Sequence, residues 1–140
     1  MNIKKANKFF KQQKFNKAIK IYKKYIFSKN ISSQEKCINL NQLGLCYFNL
    51  KQYNEAFKFF EKALTFHKIH DIYSNAGSCL TILKLYDKAI EYYLKGLCIQ
   101  KTFRGLRCIG SVYFYKKRYN EAIDYYNKAL EINNTPEILY

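Results

Sequence analysis

The chain has 140 residues, a length at which one cooperative core is the default expectation. Twenty-five Lys and Arg against ten Asp and Glu leave a formal charge of +15, which favours acidic partners (acidic peptides, nucleic acid or anionic lipid) without choosing among them. The five cysteines form no C-x-x-C pair and are odd in number, so neither a zinc site nor a complete disulfide framework follows, and reduced, buried thiols are expected.

The opening, MNIKKANKFFKQQKF, has no apolar core of signal-peptide length, and no later stretch approaches a membrane span. The chain therefore reads as soluble, intracellular and cytoplasmic. Within the opening, KKANKFF centres a helical pattern on the small residue Ala6, and FNKAIKIYKKYI from Phe15 sets apolar residues three and four apart, as on one helix face. In SKNISSQE, Ser32 and Glu35 have the spacing of a capping box, with Ser32 as N-cap and Glu35 reaching back, which starts the next helix.

NLNQLGLCYFNL then offers Leu40, Leu43, Gly44 and Tyr47 as a buried face, and YNEAFKFFEKAL gathers Tyr53, Ala56, Phe57, Phe60, Ala63 and Leu64 on another. Lys58, Glu61 and Lys62 face away. His67, His70 and Asp71 fall in the following connection and lack the third and fourth ligands of a metal site, so a structural or surface role is expected. Two further pairs of stretches follow, YSNAGSCLTIL with YDKAIEYYLKGL and LRCIGSVYFY with YNEAIDYYNKAL. The single proline, Pro136, stands where NNTPEILY begins another helix.

Ala18, Ala56, Ala89 and Ala122 are separated by 38, 33 and 33 residues, a period in the range of solenoid repeats. Connections as short as LKQ before Tyr53 and KKR before Tyr119 fold each pair of helices into an antiparallel hairpin, and no strand-like alternation competes. One all-α domain over residues 1–140 is expected, with repeats at about 1–31, 32–68, 69–101 and 102–135 and the start of an incomplete capping helix at 136–140. Small residues sit where helices approach, and stability comes from stacking, since one hairpin cannot bury both faces.

This pattern resembles the tetratricopeptide repeat. It is carried by Leu40, Leu43, Gly44, Tyr47, Tyr53, Ala56, Phe60 and Ala63, and again by Leu106, Ile109, Gly110, Tyr113, Tyr119, Ala122, Tyr126 and Ala129. Tyr25 replaces the late small residue of the first repeat, and Leu80 replaces the aromatic of the third repeat's first helix, so these two repeats are expected to pack less regularly. The resemblance implies a right-handed superhelical solenoid and a non-catalytic adaptor that holds a peptide or partner helix in a concave groove.

By the same resemblance the groove is lined by Asn41, Gln42, Leu45, Phe48 and Asn49, by Asp71, Ser74, Asn75, Ser78 and Ile82, and by Arg104, Arg107, Cys108, Ser111, Phe114 and Tyr115, none of them a core position. Amides suit a peptide backbone, and rings suit its apolar side chains. The chaperone-tail clamp of the family is incomplete: Asn7 is in place, but Ile3, Gln42, Asp71 and Asn75 stand where the remaining clamp residues belong.

No nucleophile elbow, phosphate loop or paired-carboxylate constellation appears, so no enzyme, cofactor or metal is expected. Lys14, Lys51, Lys84 and Lys117 lie at the turns within the repeats and form the alternative, a basic edge for nucleic acid or an acidic polymer. An uncovered last repeat, with Ile109, Val112, Ile123, Tyr126 and Leu130 partly exposed, would favour self-association or a permanent partner.

Overall fold

The computed structural model describes residues 3–28 and 30–133. Among the described residues eight helices run in order: α1 (Ile3–Lys11), α2 (Phe15–Ile26), α3 (Ser33–Asn49), α4 (Tyr53–Phe66), α5 (His70–Ile82), α6 (Tyr86–Ile99), α7 (Phe103–Tyr115) and α8 (Tyr119–Asn133). They pair as the hairpins α1–α2, α3–α4, α5–α6 and α7–α8, and no strand occurs among the described residues.

One backbone device closes the first helix of every hairpin. Gln13, Lys51, Lys84 and Lys117 have φ between 60° and 63°, the left-handed region. At the second turn the N–H of Lys51 bonds the carbonyl of Phe48 and the N–H of Gln52 bonds that of Tyr47, the paired pattern of a Schellman cap. The same two bonds recur after α1, α5 and α7. The position usually goes to glycine, because a Cβ crowds the following carbonyl in this conformation. Here lysine occupies it three times.

The chain divides into two compact units, Met1–Lys68 and Ile69–Tyr140, the division falling between α4 and α5. In the first unit Ala6, Ala18, Ile19, Tyr22, Leu43 and Cys46 form a buried cluster, lined at its edge by Phe9, Phe10, Phe15 and Phe59. In the second, Ala76, Cys79, Leu80, Ala89, Tyr93, Ile109, Val112, Ala122 and Ala129 are buried. Ring-on-glycine contact sets the helix approach inside three hairpins. A Cβ at Gly44 would stand 2.5 Å from the Phe60 ring, and one at Gly77 or Gly110 would stand 2.8 Å from Tyr93 or Tyr126.

The longer first interval is spent partly on helix. α3 has 17 residues where α5 and α7 have 13, because residues 33–36 add a turn at its start. Ser32 caps that turn by accepting the Glu35 N–H at 3.1 Å. The expected return bond from Glu35 is replaced by another: its carboxylate accepts the Tyr25 hydroxyl at 2.6 Å. Tyr25 fills the position of Gly96, where a Cβ would lie 3.1 Å from the His70 carbonyl near the start of α5.

Two further expectations are corrected. Ile109 and Val112 are fully buried, whereas Ile123 and Leu130 are exposed on α8, because α7 packs against both α6 and α8. Of the five free thiols Cys37, Cys46 and Cys79 are buried, but Cys98 is exposed and Cys108 is half-buried. The expected start of a capping helix at 136–140 lies outside the described residues.

Candidate protein-interaction surface

In the second unit α5 and α7 lie side by side, and the outward residues of α7 form one stripe. Arg104, Arg107, Ser111 and Phe114 follow at helical spacing, with both arginines and Phe114 exposed and Ser111 half-buried. Arg104 Nη2 donates to Asn75 Oδ1 at 3.3 Å, a bond that crosses from α7 to α5. Asn75 is only 9% exposed and Ser74 is buried, which corrects their reading as open positions: the neighbouring helix covers them and Arg104 lies over the amide.

Thr102 caps α7 by accepting the Gly105 N–H at 3.0 Å, which fixes where the arginine stripe starts. This cap was not among the expected ones, although a threonine directly before a helical pattern is its usual sign.

The hydroxyls of this surface have assigned partners. Ser78 donates to the Ser74 carbonyl at 3.0 Å and lies 3.1 Å from the Tyr93 hydroxyl. Ser111 donates to the Arg107 carbonyl at 3.2 Å and lies 3.1 Å from Tyr126. A hydroxyl has one proton to give, so in both pairs the tyrosine is the donor. Tyr115 stands at the far end of α7 from the arginines and stacks on Tyr86, with centroids 6.2 Å apart. Phe114 packs edge-on against Tyr119.

In the first unit α3 presents Asn41, Gln42, Leu45, Phe48 and Asn49. Asn49 is exposed but turns its amide back onto the Leu45 carbonyl at 2.7 Å, while the other four are half-buried. Phe48 packs edge-on against Tyr53, repeating the relation of Phe114 to Tyr119. On α1, Asn7 accepts the Tyr22 hydroxyl at 2.5 Å. Burial pushes the Tyr22 phenol up to about 12, and the neighbouring Cys46 adds to the rise.

Lys51, Lys84 and Lys117 are exposed at equivalent left-handed turn positions. Lys14, read with them as one edge, stands one residue further on, at the N-cap of α2, and Gln13 takes the equivalent place. Lys116, the C-cap of α7, bonds Asp87 at the start of α6 and holds its carboxyl below the usual range. His70 pairs with Asp71 at 3.4 Å. Among the described residues no three potential metal ligands stand together, and no helix is long and apolar enough to cross a membrane.

Family profiles described as tetratricopeptide repeat match residues 40–68 and 104–136, and a second such profile matches residues 70–102. The first hairpin lies outside the matched residues. A search of curated proteins returns no match. Among solved structures, a crystal structure of MamA superposes with a TM-score of 0.88 at 26% identity, over 99% of this chain and 79% of that one. A tetratricopeptide repeat protein from Parabacteroides merdae gives 0.84 at 24% identity, over 95% of this chain and 52% of that one. BtubC (BKLC) from P. vanneervenii gives 0.81 at 19% identity, over 91% and 59%. At these last two identities the likeness concerns the fold alone.

Proposed function

The chain belongs to the tetratricopeptide repeat family, and from that premise we propose that it is a non-catalytic adaptor holding a peptide or helix of another protein on the face formed by the first helices of its repeats. The family is an all-α solenoid of helix hairpins that serves as a protein-interaction scaffold. The observation that carries the finer reading is the arginine pair of α7: Arg104 and Arg107 are exposed one turn apart, and Arg104 is steadied by Asn75. An acidic side chain or a carboxyl terminus can pair with such a fork through charge-assisted bonds. Ser78 and Ser111 extend the polar surface, and Phe114 supplies an apolar contact beside it. Such an adaptor would act in the cytoplasm.

A second reading draws on Lys51, Lys84 and Lys117, which the repeated turn exposes at one position per hairpin. A polyanion held there would be lost steeply with salt. Exposed Ile123 and Leu130 on α8 favour a further partner, a second copy of the chain.

A photoreactive phenylalanine analogue at Phe114 tests the adaptor reading. It should crosslink the partner in source cells, while the same analogue at Lys58, on the outer face of α4, should not. Crosslinking from Lys58 alone would refute it.

A further inference from the structure

The first unit contains a cleft between α2 and α4 with a volume of about 280 Å³. Leu40 and Leu43 of α3 form its floor, Ile26, Phe27 and Phe59 its walls, and Lys23 and Lys62 stand at its mouth. Both floor leucines are buried, whereas Phe27 is 78% exposed, more than any other large apolar residue described. Lys23 Nζ rests 5.5 Å from the Tyr47 ring centroid, and Tyr47 stacks on Phe59 at 5.2 Å, so one ammonium is positioned beside the cleft wall.

At the equivalent place in the second unit Leu97 packs over Gly105, where a Cβ would come within 2.7 Å of its Cδ2. In the first unit that glycine is replaced by Asn39, a buried side chain that donates to the Glu35 carbonyl at 2.8 Å. A side chain thus stands in the first unit at the position over which Leu97 packs in the second. The charge differs as well, because Leu94 stands where Lys23 does.

The first hairpin, which supplies one side of this cleft, is cationic throughout. From Ile3 to Ile26 there are nine lysines and no Asp or Glu. Its rings offer no stacking platform for bases, since Phe9 is half-buried and lies under the ammonium groups of Lys5 and Lys17, 5.8 and 5.6 Å from its centroid.

We propose that the cleft docks an acidic segment of a partner protein, which inserts one or two apolar side chains against Leu40 and Leu43 while its carboxylates meet Lys23, Lys62 and the lysines of the first hairpin. The volume falls at the small end of ligand pockets, which suits an anchor side chain and excludes a whole helix. An anchor in an apolar hollow with a ring of charge around it is the usual economy of a small interface, and charge complementarity selects an acidic neighbour. This surface is independent of the arginine stripe on α7.

The test uses the full chain and three blocked twelve-residue peptides: a central Leu-Phe pair flanked by Asp and Glu, the same with Ser-Ser, and Leu-Phe flanked by Lys. The acidic Leu-Phe peptide should bind. The Ser-Ser peptide should bind at least about tenfold more weakly, and the Lys peptide should not bind. Lys23→Glu with Lys62→Glu, and separately Phe27→Ala at its exposed site, should each weaken binding by about tenfold at unchanged melting temperature.

Arg104→Glu with Arg107→Glu should leave this peptide's affinity unchanged, which separates the cleft from the adaptor face. Absence of binding, equal affinity for the Ser-Ser peptide, or full affinity in the Lys23/Lys62 variant would overturn the proposal. Loss of the peptide only in the arginine variant would overturn it too, and would leave the adaptor reading standing.

Discussion

The hydroxyl of Tyr93 on α6 donates to Ser78 Oγ on α5 at 3.1 Å, one residue beyond the glycine on which its ring rests. The relation recurs as Tyr126 with Ser111, and Tyr22 donates likewise to Asn7, the residue after Ala6. In the second repeat the ring is Phe60, which has no hydroxyl, and the residue after the glycine is Leu45. Polar residue and tyrosine thus come and go together.

Tyr93→Phe should cost about 1 kcal/mol, the usual net worth of one hydrogen bond, and adding Ser78→Leu should restore most of it, since that pair copies Phe60 with Leu45. Urea unfolding of the wild type, both single variants and the double variant measures the coupling. Strictly additive losses would show that the two groups do not act as a pair.

The left-handed lysines predict a gain. Replacing Lys84 by Gly removes Cβ strain of about 1–2 kcal/mol and adds back roughly 0.5–1 kcal/mol of chain entropy, so a net stabilisation of about 0.5 kcal/mol is expected. Lys51→Gly and Lys117→Gly should do the same. Lys84→Val should be destabilising, because a β-branched residue is a steric outlier at positive φ. Melting temperatures of the four variants decide the point, and a fall for all three glycines would contradict the cap assignment.

Alkaline pH should weaken the fold. Burial pushes the thiols of Cys46 and Cys79 from 9.0 up to about 12, and the Tyr22 phenol from 10.0 up to about 12. Each folded pKa lies above the unfolded one, so the stability these groups confer is complete below pH 9 and is lost as pH rises towards 12. At pH 11 each thiol should account for roughly 2–3 kcal/mol of the loss. Denaturant titrations from pH 7 to pH 11 test this, with Cys79→Ala expected to lose less over the range. A pH-independent midpoint would show that these groups are not desolvated.

The helices and their pairing were legible because their signals are local. Ala18, Ala56, Ala89 and Ala122 mark a register that any window along the chain reveals, and all four are buried. Ser32 as a cap was legible for the same reason. What escaped depends on neighbours distant in sequence. Glu35 turns to Tyr25 and Lys116 reaches Asp87, pairs that no spacing rule announces.

Tyr115 shares the helix of the arginines and was expected to line the same groove. It lies eight residues from Arg107, about 12 Å along the axis, and finds Tyr86 instead. The lysines at the turns were seen as charge, while their positive φ is a property of the closed cap and not of the residue type. The α2–α4 cleft draws its lining from three helices, from Lys23 to Lys62, and so exists only once they are packed.

The central claim is that the first-helix face captures a protein partner through Arg104 and Arg107. The most direct measurement compares two charge-reversed variants, matched for helix content by circular dichroism, in capture of the main partner from source cells. One is Arg104→Glu with Arg107→Glu, and the other is Lys51→Glu with Lys84→Glu. Loss of a charge-assisted bond costs about 1.5–3 kcal/mol, or roughly tenfold or more in affinity, so the arginine variant should lose the partner and the lysine variant should keep it. Retention by the arginine variant together with loss by the lysine variant would contradict the account and assign binding to the lysines of the turns.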